Sequence, residues 1–266
     1  MSRPNEPTEG NVATPGPLAL APDEVHLWHA WTAQAEGPAL AERFRRLLSD
    51  EEMQRLYRYR LERVRHEFLV ARALVRTVLS RYASVDPRDW SFDAGPWGKP
   101  RLAGPWLEQP LHFNLSHTRG LVVCAVAREV ELGVDVEQIE RKTSLVSLAH
   151  RYFAPLEVHD LFELPPAQQA SGFFDYWTLK ESYIKARGQG LSIPLAAFAF
   201  DLADRQRIRI ACEPELGDDQ EHWWFGQYDP SPAHRAAVAV RWHAIEPPRV
   251  SRFETMPTET AYRRLG

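Results

Sequence analysis

The sequence has few cysteines, no long apolar run and no excess of basic charge. Only two cysteines, Cys124 and Cys212, occur among 266 residues, so neither a cysteine metal cluster nor a disulfide framework is expected. Each lies in or beside an apolar segment, which favours a small buried hydrophobe and a reducing, cytoplasmic setting. No apolar run approaches the roughly 18 residues of a membrane-spanning helix. The net charge of −4 gives no overall basic field for nucleic acid.

Several catalytic and nucleotide-binding motifs are absent as well. There is no Gly-x-x-x-x-Gly-Lys-Ser/Thr loop and no Cys or paired-His spacing typical of a metal site. Gly188-Gln189-Gly190 lacks a third glycine and follows a predicted helix, so a dinucleotide fold is unsupported. No Gly-x-Ser-x-Gly nucleophile elbow occurs. The composition, 44% hydrophobic and 26% charged, is that of an ordinary globular protein with ample length for a core.

The two ends of the chain differ in composition from the rest. Residues 1–22 are rich in Pro, Glu, Thr and Gly and lack the apolar core of a secretory signal. We expect them to form a disordered N-terminal tail. Residues 246–266 are polar and are also expected to form a tail.

Apolar periodicity predicts a mixture of strands and helices between these ends. A strand, a His-bearing turn and a small-residue strand occur twice, around His117 and around His234. This internal echo predicts an α/β (α+β) fold of two similar halves, residues 23–129 and 130–245. Ser49 or Asp50 is expected to cap the second helical segment. Predicted strands cover 25–31, 111–116, 121–127, 132–136, 197–202, 207–212, 223–228 and 236–242, and predicted helices cover 39–48, 51–84, 144–151, 155–163 and 169–187.

The most informative stretch is Trp177–Ala186, which we predict to be helical up to Gly188. Glu181 and Lys185 are four residues apart, so their side chains point the same way, with about 5–6 Å between their Cβ atoms. A surface ion pair would explain an isolated Glu–Lys pair of this kind, but the neighbouring residues are too apolar for a solvated face. Leu179, Tyr183 and Ala186 recur at helical spacing and are expected to be buried.

A second acidic cluster lies in a predicted strand. Asp135 and Glu137 are two residues apart and share one face, while Val134 and Val136 face the core. For an isolated Asp-x-Glu, ordinary solvated acids would be the preferred interpretation. Two carboxylates on one face also suit a hard cation such as Mg²⁺, and Glu181 could supply a third.

Cationic donors complete the requirements for phosphoryl transfer, in which a metal and lysines neutralise developing charge. Each donor alone would be read as a surface or structural group. The arginines of residues 51–84 belong mainly to a solvated face, although one or two could reach an anionic ligand. The candidate donors are Lys99, His117, Lys180 and Lys185.

The sequence resembles the 4′-phosphopantetheinyl transferases of the Sfp type over roughly residues 40–200. The order Gly-x-Asp, then Trp-x-x-Lys-Glu-x-x-x-Lys, is a highly specific combination. The resemblance implies two similar halves about a pseudo-twofold, with coenzyme A and Mg²⁺ between them. It also implies transfer of phosphopantetheine from coenzyme A to a carrier-protein serine, with release of 3′,5′-ADP. The matching blocks are Gly98-Lys99-Pro100, Phe113–His117, Leu132–Glu137, Tyr152–Glu157, Phe174–Ala186 and Gly188–Leu191.

The resemblance implies roles by matched position. Asp135, Glu137 and Glu181 would be the metal ligands, and Glu181 or Glu137 would also serve as the base for the serine. Lys185 would hold the pyrophosphate and assist the leaving group. The expected contacts with coenzyme A are Lys99, Ser116, His117, Lys180, Lys185 and, for the 3′-phosphate, Arg72.

Other functions remain open at this stage. A catalytically silent module that binds coenzyme A or a carrier protein would need the fold without the chemistry. A divalent-metal phosphohydrolase would act without any carrier. The carrier could belong to fatty-acid, polyketide or nonribosomal-peptide biosynthesis. We expect a cytoplasmic monomer, because two halves in one chain can build the cleft that shorter relatives form between subunits, and we expect neither nucleic acid nor a membrane as a partner.

Overall fold

The computed structural model of the protein describes residues 17–106, 108–139 and 145–265. The helices of these ranges are α1 (Pro38–Arg45), α2 (Asp50–Arg58), α3 (Glu62–Leu79), α4 (Leu145–Tyr152), α5 (Pro155–Glu163) and α6 (Pro166–Arg187). The strands are β1 (Glu24–Trp31), β2 (Phe92–Ala94), β3 (Pro100–Leu102), β4 (Leu111–Thr118), β5 (Leu121–Arg128), β6 (Leu132–Gln138), β7 (Phe198–Asp201), β8 (Arg209–Cys212), β9 (Trp223–Ser231), β10 (His234–Arg241), β11 (Arg249–Thr255) and β12 (Tyr262–Leu265).

The N-terminal half is built on a five-stranded sheet in the order β12-β11-β1-β5-β4. Helix α3 packs on this sheet through a buried apolar stripe that includes Val70, Leu74 and Val78. Ser49 caps α2 as predicted, in a capping box with Glu52. The predicted helical region 51–84 is interrupted between α2 and α3.

The C-terminal half is built on a three-stranded sheet in the order β6-β10-β9. Helix α6 lies on β6 and β10, and a smaller hairpin of β7 and β8 adjoins it. The two main sheets share an apolar layer in which Leu27 and Val123 meet Val134 and Val238. Each half therefore contains a hairpin, β4–β5 or β9–β10, and a long helix packed against the sheet. The prediction of a mixed α+β fold in two halves is confirmed.

The prediction of a polar C-terminal tail over 246–266 is wrong. Strand β11 runs parallel to β1, and β12 pairs with β11, so this segment completes the sheet of the N-terminal half. Its buried positions are Ser251, Phe253 and Thr255, of which only one is apolar. Apolar alternation, the usual signature of a strand, is therefore absent from the sequence of β11.

The predicted N-terminal tail, 1–22, falls largely outside the described residues, because the structure describes none of residues 1–16. The part from residue 17 onward is ordered against the core. The backbone N–H of Leu18 donates to the carbonyl oxygen of Arg81 at 2.5 Å, and Leu20 is buried. The prediction of disorder is wrong for residues 17–22. Across the described ranges, every helix falls short of the length and apolar character needed to cross a bilayer.

Candidate active site

Helix α6 packs directly on the backbone of β6 at Gly133. A Cβ atom placed on Gly133 would lie 2.1 Å from the carbonyl oxygen of Ser182 and 2.4 Å from the backbone nitrogen of Ala186. These distances are shorter than any van der Waals contact, so only glycine allows the helix to approach this closely. The helix ends at Gly188 in the left-handed conformation, as predicted. The close approach brings Lys185 beside the acidic residues of β6.

The acidic residues of β6 lie on the face predicted for them. Val134 and Val136 are fully buried in the apolar layer between the sheets, which turns Asp135 and Glu137 the other way. Asp135 Oδ1 accepts hydrogen bonds from Lys185 Nζ at 2.5 Å and from Ser116 Oγ at 2.9 Å. Lys185 Nζ also donates to Ser116 Oγ at 3.0 Å. Three predicted site residues from three different elements are therefore in direct contact.

Glu137 and Glu181 belong to the same electrostatic environment. Desolvation, followed by the negative charge of Asp135, raises the pKa of Glu137 to about 7. Desolvation also raises the pKa of Glu181, and the charge of Asp135 adds to this effect while Lys185 opposes it. The two glutamates therefore sense the same aspartate and the same lysine. The three acids therefore lie within electrostatic range of one another, and the charge of Lys185 opposes the pKa rise of both glutamates.

The three acids do not form a closed cage around one point. Among the described residues, no three or more acidic, histidine or cysteine side chains are grouped tightly enough to hold a metal ion. Mutual repulsion keeps like charges apart, and Lys185 draws Asp135 toward itself. Asp135 Oδ2 is nevertheless buried without a hydrogen-bond partner. An unpaired carboxylate oxygen, with two further carboxylates within electrostatic range, offers the oxygen donors that a hard cation such as Mg²⁺ takes.

Side chains of β4, rather than backbone carbonyls, accept hydrogen bonds from amides of β6 along one edge of that strand. Alternate polar residues on β4 accept hydrogen bonds from alternate amides of β6, so the two sheets are joined beside the acids. Asn114 and Thr118 were not among the predicted site residues, although their alternation with Ser116 along a predicted strand is a detectable signal. The bonds run from Val134 N to Asn114 Oδ1 (2.9 Å), from Val136 N to Ser116 Oγ (3.3 Å) and from Gln138 N to Thr118 Oγ1 (3.1 Å).

His117 and Arg72 lie on the α3 side of β4. The pKa of His117 is lowered, chiefly by partial desolvation, with Glu67 opposing and Lys185 and Arg72 reinforcing the shift. The Arg72 guanidinium lies 5.4 Å from the centre of the Phe68 ring, and its Nε atom is buried without a hydrogen-bond partner. On this side of β4, Arg72 has Glu52 as its carboxylate partner at 3.8 Å.

Lys99 is close to the site, but its ammonium group is already engaged. Lys99 Nζ donates to the carbonyl oxygen of Ala186 at 2.8 Å and to that of Leu132 at 3.1 Å. It therefore ties the C-terminal end of α6 to the beginning of β6. Lys99 also lines a cavity of about 470 Å³ together with Trp97 and Arg187. A role in binding coenzyme A stays a prediction for this residue.

The structure does not bring Lys180 to the site. Its side chain is fully buried, and Nζ contacts a Glu157 carboxylate oxygen at 2.7 Å and the carbonyl oxygens of Leu195 and Phe198 at 2.7 and 2.6 Å. All three N–H bonds of the ammonium are used in these contacts. Helix α6 is enclosed on several sides, so the lysine beside Glu181 can point into the core. Lys180 is a structural residue, and its assignment to coenzyme A is wrong.

Replacing Lys180 by methionine should lower the free energy of unfolding by about 3–5 kcal/mol, because the Glu157 carboxylate would remain buried without its cation. Denaturant unfolding followed by circular dichroism measures this change. Arg101→Met is the control, since its ion pair with Asp93 is exposed, at 60% and 44% of the two side chains, and should contribute little. A Lys180→Met protein as stable as the control would contradict the structural role.

Two protein-family descriptions match the chain. The one for the 4′-phosphopantetheinyl transferase superfamily matches residues 131–240, and the one named 4′-phosphopantetheinyl transferase, N-terminal, matches residues 29–129. Both matches cover structure that contributes to the site, namely β4 in the first half and β6 with α6 in the second.

Individual relatives match over most of the chain. The 4′-phosphopantetheinyl transferase HetI of Nostoc sp. is 38% identical over 236 residues, covering 88% of this chain and 94% of the relative. The 4′-phosphopantetheinyl transferase Sfp of Bacillus subtilis is 34% identical over 201 residues, covering 75% of this chain and 84% of the relative. Among solved structures, Thermotoga maritima holo-[acyl-carrier-protein] synthase shares 17% identity at a TM-score of 0.36, over 43% of this chain and 65% of that one, which is too weak a likeness to bear on the fold.

Proposed function

The chain belongs to the 4′-phosphopantetheinyl transferase superfamily, and from this premise we propose that it moves the 4′-phosphopantetheine arm of coenzyme A to a carrier-protein serine. The products would be the modified carrier and 3′,5′-ADP. The observation that carries the proposal is the contact of Lys185 with Asp135 and Ser116, beside Glu137 and Glu181. The contact of Lys185 with Asp135 and Ser116 supports a site at the junction of the two halves, with Glu137 and Glu181 as its further proposed acids.

Asp135, Glu137 and Glu181 would hold Mg²⁺, which when bound neutralises charge on the phosphate oxygens. Side chains of the protein would carry out the proton transfer and stabilise the leaving group. Glu137 or Glu181 would accept the proton of the attacking serine hydroxyl, and desolvation raises the pKa of both carboxyls toward the range useful for a base. Lys185 would donate hydrogen bonds to the pyrophosphate oxygens as negative charge develops on the leaving group.

Coenzyme A would lie along β4 and α3. Ser116, which contacts Lys185, and His117, on the opposite face of β4, would contact the phosphates or the nucleotide of coenzyme A. Arg72 is the candidate for the 3′-phosphate, because the charges of Arg55 and Arg76 act on its guanidinium and Glu52, at 3.8 Å, is its carboxylate partner. Like charges repel, so a phosphate bound at Arg72 would offset the influence of the two neighbouring guanidinium groups.

The direct test is to incubate the purified protein with coenzyme A, Mg²⁺ and a panel of apo acyl- and peptidyl-carrier domains. Mass spectrometry should show addition of one phosphopantetheine group to the carrier serine. Absence of a mass gain on every carrier, with coenzyme A still bound in calorimetry, would favour a silent binding module. Release of phosphate or nucleotide without any carrier would favour a phosphohydrolase.

Replacing Lys185 by glutamine should lower kcat/KM by about 10²–10³-fold, because a charged donor to the leaving group is lost. We expect KM for coenzyme A to rise and kcat to fall, since the lysine would contact both bound substrate and transition state. Steady-state kinetics with varied coenzyme A separates the two parameters. Lys185→Arg keeps the charge and should retain more activity. Unchanged kinetics in Lys185→Gln would remove Lys185 from the site.

We further propose that the protein acts as a monomer in the cytoplasm. Residues from both halves of one chain meet at the site, since Ser116 comes from β4 and Asp135 from β6. A second chain is therefore not needed to supply any of the proposed ligands. Light scattering should give the mass of one chain, and the mass of a trimer would overturn this part of the proposal.

A further inference from the structure

Thr118 makes two hydrogen bonds at the end of β4. Its Oγ1 accepts from the backbone N–H of Gln138 at 3.1 Å and contacts Glu137 Oε2 at 3.2 Å. The backbone amide can only donate, so one lone pair of the Thr118 hydroxyl oxygen must point toward it. The single hydroxyl proton is then free to point toward the Glu137 carboxylate. A hydroxyl held in this way donates to the glutamate in one defined direction.

The same arrangement occurs two residues earlier on both strands. Ser116 Oγ accepts from the amide of Val136 and donates to Asp135, as Thr118 does for Gln138 and Glu137. Each acid of β6 therefore receives a hydroxyl from the opposing strand, in register with the backbone. Asn114 provides a third link to β6, through Val134, and that link ends on no acid of the site. The junction contains two links that orient acids and one that joins the sheets.

We propose that Thr118 is a positioning residue that holds the Glu137 carboxylate for the transfer reaction. The inference rests on the proposed function, in which Glu137 serves the metal or the serine proton. Glu137 is half-buried near the end of β6, and its carboxylate is held by a hydrogen bond from Thr118, whereas that of Asp135 is held by both Lys185 and Ser116. Thr118 engages Oε2, so Oε1 is the oxygen we assign to the metal or the serine proton. Hydrogen bonds to the carboxylates around a metal commonly determine their orientation in this way.

Thr118→Val removes the hydroxyl at nearly constant shape, whereas Thr118→Ser keeps it. We expect Thr118→Val to lower kcat and to weaken binding of Mg²⁺ to the protein–coenzyme A complex, each by about 10- to 100-fold, with KM for coenzyme A little changed. Thr118→Ser should restore both quantities to within about threefold of the wild type. Kinetics with a carrier domain and calorimetric titration of Mg²⁺ measure them separately. Thr118→Ala serves as a second variant if the valine does not fold.

Asn114→Ala is the matched control, because it removes a link between the sheets without touching an acid. It should lower the melting temperature while leaving Mg²⁺ affinity close to that of the wild type. Wild-type kcat and Mg²⁺ affinity in Thr118→Val would overturn the inference. Failure of Thr118→Ser to restore them would also overturn it, since shape and not the hydroxyl would then matter. If the wild type transfers nothing, the proposed function fails, and the Mg²⁺ titration still decides whether Thr118 positions Glu137.

Discussion

Replacing Asp135 by asparagine should lower kcat by about 10³-fold or more while leaving the fold intact. Asparagine has nearly the shape of aspartate, so the packing of β6 under α6 is preserved. The neutral amide removes the anionic partner of Lys185 and the buried, unpaired Oδ2 that fits a metal ion. Loss of several kcal/mol of charge stabilisation in the transition state corresponds to a rate effect of this size.

The stability of this variant should move in a different direction from its activity. Asp135 raises the pKa of both Glu137 and Glu181, which means that the folded protein holds its carboxylates at an electrostatic cost in the absence of a cation. Removing one of these charges relieves that cost. Lys185 keeps 28% of its side-chain surface exposed and can be solvated without its partner. We therefore expect a melting temperature equal to or above that of the wild type, as is common where function opposes stability.

Steady-state kinetics with a carrier domain and thermal unfolding without added metal measure the two effects on one protein sample. Asp93→Asn is the control, since Asp93 forms an exposed ion pair with Arg101 on β2 and β3, apart from the three acids. It should change neither quantity appreciably. A kcat within tenfold of the wild type in Asp135→Asn would show that Asp135 is not at the reacting centre. A large drop in melting temperature would instead give Asp135 a structural role.

The acids of the site were predictable because strand periodicity fixes a face before any tertiary contact is known. Val134 and Val136 read as core positions, so Asp135 and Glu137 had to share the opposite face, and they do. Helical periodicity likewise predicted the buried stripe of Leu179, Tyr183 and Ala186, and all three residues are buried. Periodicity says nothing about which element a face meets, so the contact of Lys185 with Asp135 could not be derived from spacing alone.

The wrong predictions share a physical cause, which is a partner distant in sequence. Lys180 read as a donor for the site because its cation sits beside Glu181, but its partner Glu157 comes from α5. Strand β11 read as a tail because its buried residues are mainly polar, and its apolar surroundings come from β1 at the other end of the chain. Local patterns report the polarity of a segment, whereas burial depends on what the rest of the chain places around it.

Gly133, the glycine of the Gly-x-Asp motif, is the residue on which helix α6 packs against β6. Replacing it by alanine should abolish most of the activity. The new Cβ would lie 2.1 Å from the carbonyl oxygen of Ser182, so α6 would have to move by about 1 Å to reach an ordinary contact distance. A displacement of about 1 Å at reacting groups can cost 10²-fold in rate, and overpacking of this kind typically costs about 1–3 kcal/mol of stability. We expect both losses together.

Gly172→Ala, in the same helix, separates a displaced backbone from a merely added methyl group. Its Cβ would meet Leu164 Cδ1 at 2.5 Å, which is the end of a side chain that can rotate away. Alanine is also the better helix former, by about 1 kcal/mol, so this variant should remain active and stable. A Gly133→Ala protein that matched it in kcat would mean that the position of α6 on β6 is not critical. If Gly133→Ala instead loses activity while circular dichroism shows a folded chain, the short approach at Gly133 is what places Lys185 within 2.5 Å of Asp135, two residues further along the strand.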